Sequence, residues 1–224
     1  MDSCREFSET SNGMPVRGFL HSPAAANGDG LILTHGAGAN CNAPLLVALA
    51  EAFSITGLAV LRCDLPFRQL RPNGPPPRGS AERDQQGLRA AVESMRREVP
   101  GRIYLGGHSY GGRQGSMLAA SDPGLIEALL LLSYPLHPPQ RPDEMRTIHF
   151  PHLQTSTLFV SGTRDGFGSI EEMIAALKLI PARTKLVPVQ SAGHELMSRR
   201  NRNELRLLVV EAFQLFTNEA TTRA

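Results

Sequence analysis

Gly106-Gly107-His108-Ser109-Tyr110-Gly111-Gly112 follows the apolar run Ile103-Tyr104-Leu105 directly and precedes a segment that reads as a helix through Met117 and Leu118. Within it lies Gly-x-Ser-x-Gly. A strand-to-helix turn this sharp strains the backbone of its central residue, and small neighbours at Gly107 and Gly111 relieve the crowding. The Ser109 oxygen is thereby exposed at the end of a strand, beside a helix N-terminus. Composition alone gives about 0.1 chance occurrences of the pattern in a chain of this length, and the strand-before, helix-after setting lowers that further. A phosphate loop is the competing reading, since Gly107 to Gly112 has its outer spacing. Arg113-Gln114, however, stands where phosphate and magnesium need Lys-Ser/Thr, and no Gly-x-Gly-x-x-Gly fingerprint follows any strand. Ser109 is the candidate nucleophile.

Outward from this turn, short apolar runs recur: Leu31 to Leu33, Leu58 to Leu61, Leu129 to Leu132, Leu158 to Val160 and Leu186 to Val189. Runs of this kind are buried on both faces, as in a parallel sheet. Between them the period becomes 3.6. Leu45, Leu46, Leu49 and Phe53 share one helix face, and Leu88, Ala91, Val92 and Met95 share another. Ser169-Ile170-Glu171-Glu172 is a capping box that opens a helix closed by Pro181, and Leu205, Leu208, Val209 and Phe216 mark a last helix. The alternation predicts an α/β fold with a mostly parallel central sheet and helices on both faces. Two ends differ. Asn12-Gly13 between Phe7 and the Val16 to Leu20 stretch predicts an antiparallel hairpin, and Pro188, which lacks an N–H donor, predicts that its strand lies at the sheet edge.

A serine hydroxyl needs a base to take its proton, and the base needs an acid to orient it. In such sheets the chemistry collects at the carboxyl ends of the strands. Asp165, in Ser161-Gly162-Thr163-Arg164-Asp165-Gly166, and His194, in Ser191-Ala192-Gly193-His194-Glu195, each follow a strand and are flanked by glycine. Their chain order, Ser then Asp then His, is the one such sheets use. Asp165 has the alternatives of capping a turn or pairing with Arg164, and Asp64 is its main rival as the acid. His21, His137, His149 and His152 do not follow the required strand. His149 and His152 have ligand-like spacing but no third ligand joins them. Thr34-His35-Gly36-Ala37-Gly38-Ala39-Asn40, after the Leu31 to Leu33 strand, is suited to present N–H donors to a developing oxyanion. The first donor is assigned to Ala37, with Gly36 as the alternative, and the second to Tyr110, the residue after the nucleophile.

With these residues in hand, the chain resembles the small α/β-hydrolase family related to dienelactone hydrolases, nearest the branch that includes the testis-expressed and non-specific-lethal-complex hydrolase-like proteins. The resemblance rests on His35 to Gly38, Gly107 to Gly112, Ser133-Tyr134-Pro135-Leu136-His137-Pro138-Pro139, Gly162 to Asp165 and Gly193-His194. It implies the α/β-hydrolase fold and a triad of Ser109, Asp165 and His194. Some members of the branch serve as complex subunits, so a hydrolase-like scaffold that binds partner proteins stands as the alternative to a serine hydrolase cleaving a small or medium soluble ester or thioester.

Around the site, too few residues separate Leu132 from Thr157 for a lid domain, and Pro135, Pro138, Pro139, Pro142 and Pro151 stiffen that connection. Tyr134 is expected at the mouth, lining an acyl or alcohol pocket, with simple packing as its alternative. The loop from Pro66 to Arg78 carries Arg68, Arg71 and Arg78, of which Arg68 is the candidate for binding an anionic substrate. The whole chain, 1-224, is expected to form a single domain. With 23 basic against 21 acidic residues, net charge is +2, which gives no reason to expect nucleic acid or an anionic membrane as partner. The longest apolar run, Ile126 to Leu132, falls far short of the ~20 residues of a membrane span. Three cysteines, Cys4, Cys41 and Cys63, lack disulfide-framework or zinc spacing. Met1 to Glu6 carries no signal-like apolar core. The expectation is a cytoplasmic protein that needs no metal or other cofactor, its oligomeric state left open.

Overall fold

The computed structural model describes residues 3–221; Met1 and Asp2, which begin the amino-terminal stretch read above, lie outside the described residues. The chain opens with β1 (Ser3–Ser11) and β2 (Met14–Ser22), an antiparallel pair in which Ser11 faces Met14 across Asn12-Gly13. Both turn residues take positive φ, +49° and +75°, the condition for a two-residue turn whose twist matches its strands.

Strand and helix then alternate: β3 (Gly30–Thr34), α1 (Pro44–Ile55), β4 (Ala59–Cys63), the short α2 (Pro66–Leu70), α3 (Ala81–Glu98), β5 (Ile103–His108), α4 (Tyr110–Ser121), β6 (Ala128–Leu132), β7 (Ser156–Gly162), α5 (Ile170–Leu177), β8 (Thr184–Val189) and α6 (Arg202–Thr221). The eight strands form one sheet in the order β1-β2-β4-β3-β5-β6-β7-β8, with β3 through β8 mutually parallel. Pro188 therefore lies in an edge strand, as its missing donor requires. This is the α/β-hydrolase fold.

Alternate residues of each central strand point to opposite faces. Ile32, Leu105, Leu129 and Phe159 pack with Leu88 and Met95 of α3, Leu118 of α4 and Met173 of α5. Leu31, Leu33, Leu130 and Val160 pack with Leu46 and Phe53 of α1 and Val209 and Phe213 of α6. Strands buried on both faces account for the unbroken apolar runs. On α6, Leu205, Val209 and Phe216 are buried but Leu208 is 38% exposed, so it lies off the core-facing stripe. The α5 capping box is complete: Ser169 Oγ accepts from the Glu172 N–H and Glu172 Oε2 accepts from the Ser169 N–H. It sets where the Asp165 loop ends.

The chain leaves β3 for β4 on one side and β5 lies on the other, so the carboxyl ends of β3 and β5 border a crevice at the point where strand order reverses. The β6–β7 connection holds a single 3-10 turn, Phe150–His152, and no inserted lid. Among the described residues no helix is long and apolar enough to cross a membrane.

Candidate active site

Ser109 stands between β5 and α4 with φ +50° and ψ −114°, a conformation a non-glycine residue holds only at a cost of about 1–3 kcal/mol. The surroundings enforce it. The Ser109 N–H donates to the Leu132 carbonyl at 2.8 Å and its carbonyl accepts from the Arg113 N–H. A Cβ on Gly107 would come within 2.5 Å of the Gly112 nitrogen, and one on Gly111 within 2.6 Å of the His35 carbonyl oxygen. Only glycine lets β3, β5 and α4 approach this closely.

His194, after β8, brings Nε2 to 2.8 Å from Ser109 Oγ, while its Nδ1 lies 2.9 Å from Asp165 Oδ2 and 3.0 Å from Oδ1. An ionised carboxylate only accepts, so Nδ1 carries the proton and Nε2 is free to accept the serine hydroxyl's. The Asp165 side chain is 2% exposed and that of His194 19%. Asp165 Oδ1 also accepts from the Phe167 N–H at 2.9 Å, so the acid is oriented towards the imidazole rather than towards Arg164. The Phe167 ring stacks on His194 with centroids 4.0 Å apart and planes 28° apart. His108 Nε2 donates to the His194 carbonyl at 2.9 Å; burial lowers the His108 pKa, and the neutral ring fixes the main chain that carries His194.

The loop after β3 is held from two sides. His35 is buried and its pKa is lowered by burial. Its Nε2 accepts from the Leu65 N–H at 3.1 Å, which leaves Nδ1 to donate to the Gly36 carbonyl at 2.8 Å. That carbonyl also accepts from the Ala39 N–H. Because the peptide is planar and trans, fixing the Gly36 carbonyl fixes the Ala37 N–H on the opposite side of the same unit. Arg68 grips the loop from below. Its Nε donates to the Ala39 carbonyl at 2.7 Å and its Nη2 to the Ala37 and Gly74 carbonyls at 2.8 and 2.9 Å.

Two sequence expectations are thereby corrected, Arg68 and Tyr134, and Asp64, the rival acid, is set aside. Arg68 is 5% exposed and its donors are spent on main-chain carbonyls, so it shapes the loop instead of meeting a substrate anion. Tyr134 is 2% exposed; its hydroxyl donates to the Arg146 carbonyl and its ring packs on Phe150 and Phe159, which takes it out of the mouth. Asp64 accepts from the Cys41 N–H at 2.7 Å and does not reach His194.

Sequence reasoning missed Phe167, His108 and Asp84. Asp84 is fully buried on α3, where it accepts from the Tyr110 hydroxyl at 2.7 Å and from the Phe67 N–H at 3.0 Å. Its position on the stripe of Leu88, Ala91 and Met95 was the available signal, since a carboxylate on a core-facing helix stripe must have partners. Ser109 opens into a groove of about 360 Å3 lined by Gly36 to Ala39, His108, Phe167, His194 and Glu195.

Comparison with known proteins shows the family of the chain. The chain is similar to the dienelactone hydrolase of Anabaena variabilis (22% identity, TM-score 0.76, covering 95% of this chain and 97% of that one). It is similar also to Est1E of Butyrivibrio proteoclasticus (19%, TM-score 0.75, 96% and 99%). A Xanthomonas campestris protein described as an α/β serine hydrolase without a lid matches at 18% identity and TM-score 0.75 over 96% and 95% of the two chains. The model of the alpha/beta hydrolase domain matches residues 27–214, and this chain belongs to that family.

Proposed function

We propose that the protein is a serine hydrolase, needing no cofactor, that cleaves an ester or thioester of a small or medium soluble substrate through an acyl-enzyme. The observation that carries this reading is the unbroken relay from Ser109 Oγ to His194 Nε2 at 2.8 Å and from His194 Nδ1 to Asp165 at 2.9 Å. Ser109 attacks the acyl carbon while His194 takes its proton. His194 then returns the proton to the departing oxygen or sulfur as the carbon–heteroatom bond breaks. Water, deprotonated by the same imidazole, releases the acid and regenerates Ser109. Asp165 holds the tautomer and balances the imidazolium.

The oxyanion is held by the N–H groups of Tyr110 and Ala37. The Tyr110 N–H opens α4, where no intrahelical acceptor exists, and the Ala37 N–H belongs to the peptide that His35 orients. A donor of this kind is worth about 10²–10³ in kcat. The open groove of about 360 Å3 supports a substrate of modest size. The Ser133 to Pro139 segment supports membership of the testis-expressed and non-specific-lethal-complex branch, and free thiols at Cys4, Cys41 and Cys63 support a cytoplasmic setting.

A fluorophosphonate probe tests the reading. It should label Ser109, fail on Ser109→Ala, and be blocked by short-chain esters that the protein turns over. Folded protein that resists labelling would identify a scaffold instead.

A further inference from the structure

Beyond His194 the groove opens into a second hollow of about 810 Å3, lined by Arg164 after β7, by 190–198 after β8, and by Arg199, Arg200 and Asn201 ahead of α6. The two spaces meet at His194 and Glu195, which line both. Arg164, Arg199 and Arg200 are exposed. Arg5, Arg89, Arg97, Arg102 and Arg141 each pair with a carboxylate, but none of the hollow's three arginines does so among the described residues. Glu195 is the sole acidic side chain in the lining. A hollow lined by three exposed arginines against one glutamate concentrates positive potential, and the guanidinium fork matches carboxylate and phosphate oxygens.

The chemistry of the relay decides which half of a substrate meets this wall. The proton on His194 Nε2 must pass to the departing oxygen or sulfur, so the leaving half lies against His194, on the border of the hollow. We propose that the hollow is an anion subsite that receives a leaving alcohol or thiol bearing a phosphate or carboxylate group. The inference rests on the hydrolase reading of Ser109. The Ser109 Oγ–acyl bond forms, the acyl–oxygen or acyl–sulfur bond breaks, and the leaving half departs with the proton from His194 while its anion is held by Arg164, Arg199 and Arg200.

Matched acetate esters test it: 4-acetoxyphenyl phosphate, 4-acetoxybenzoate and the neutral 4-acetoxybenzamide. kcat/KM for at least one anionic ester should exceed that for the amide by about tenfold or more, and the advantage should shrink in 0.5 M NaCl, where screening is strong. The phosphate and carboxylate arms tell which anion the wall prefers. In the triple variant Arg164→Gln, Arg199→Gln, Arg200→Gln the ratio of anionic to neutral turnover should fall to near one. Calorimetric titration of Ser109→Ala protein with 4-hydroxyphenyl phosphate and 4-hydroxybenzoate, the leaving halves alone, should show saturable binding of the preferred anion that the three arginine changes abolish. No anionic preference, a preference that survives the triple variant, or no binding of either leaving half would each overturn the subsite. Failure of the fluorophosphonate to label Ser109 would overturn the hydrolase reading and leave the binding result standing.

Discussion

The hydroxyl of Tyr110 donates to Asp84 Oδ2 at 2.7 Å, so the residue beside the candidate nucleophile is tied to a carboxylate buried in α3. The other oxygen of Asp84 holds the Phe67 N–H in α2, next to Arg68. One buried side chain thus anchors both the elbow and the helix that grips the Ala37 loop. Asp84→Ala strands the buried Phe67 N–H and takes one partner from the half-buried Tyr110 hydroxyl, which keeps Ser80 Oγ at 3.4 Å, and is expected to lower the urea midpoint by the equivalent of about 1–3 kcal/mol. Asp84→Asn keeps an acceptor for Phe67 and a group that bonds a hydroxyl, and should lose less than half as much. Equal losses in the two variants would mean that hydrogen bonding at Asp84 is not what matters.

Arg68 is expected to act on turnover through the loop it holds. Arg68→Ala releases the Ala37 and Ala39 carbonyls, and a displaced donor should cost about 10–100-fold in kcat with a smaller change in KM. Arg68→Lys supplies charge without the fork that reaches separate carbonyls, and should recover only part of the loss. Steady-state kinetics on any ester the protein accepts checks this. An unchanged kcat in Arg68→Ala would detach the residue from the oxyanion loop.

Phe167 contacts both members of the proton relay, through its N–H to Asp165 and its ring on His194. A ring face stabilises a neighbouring cation by about 0.5–2 kcal/mol, and in the proposed mechanism His194 takes up the proton of Ser109. Phe167→Leu leaves the main-chain donor in place, so kcat should fall about 2- to 30-fold while the fold and fluorophosphonate labelling of Ser109 are retained. Loss of thermal stability without loss of kcat would make the stack a packing contact.

Acid should destabilise the fold at a pH set by its buried histidines. Burial lowers the pKa of His35 and His108, and burial together with the Arg113 charge brings His149 to about 4. The unfolded chain therefore binds protons that the folded one refuses, and stability falls as pH drops below about 6.5. Above that pH these groups contribute nothing to the slope. Tm is expected to be level from pH 8 to 7 and to decline from 6.5 to 5, with a shallower decline in His149→Gln. A level Tm down to pH 5 would contradict this.

Local patterns made most of the fold legible. Asn12-Gly13, the Ser169 capping box, Pro188 and the apolar runs each act within a few residues, and the structure follows them. Ser109, Asp165 and His194 were legible for a related reason: a parallel sheet gathers all its strand ends at one edge, so position in the chain gives position in space. Tyr134 and Arg68 were misread because an aromatic or a charge near a strand end does not reveal which way it turns. Tyr134 turns inward to the Arg146 carbonyl and Arg68 to carbonyls about thirty residues away. Asp84 showed only as a carboxylate on the α3 core stripe, a sign that it has partners but not which ones, and Phe167 gave no sign at all, because its value lies in contacts formed across the fold.

The positive φ of Ser109 sets a trade-off at one residue. Glycine occupies φ +50°, ψ −114° far more easily than serine does, so Ser109→Gly should raise Tm while abolishing fluorophosphonate labelling. A hydroxyl held there costs the fold stability that glycine would return, so sturdiness and a presented hydroxyl are opposed at this one position.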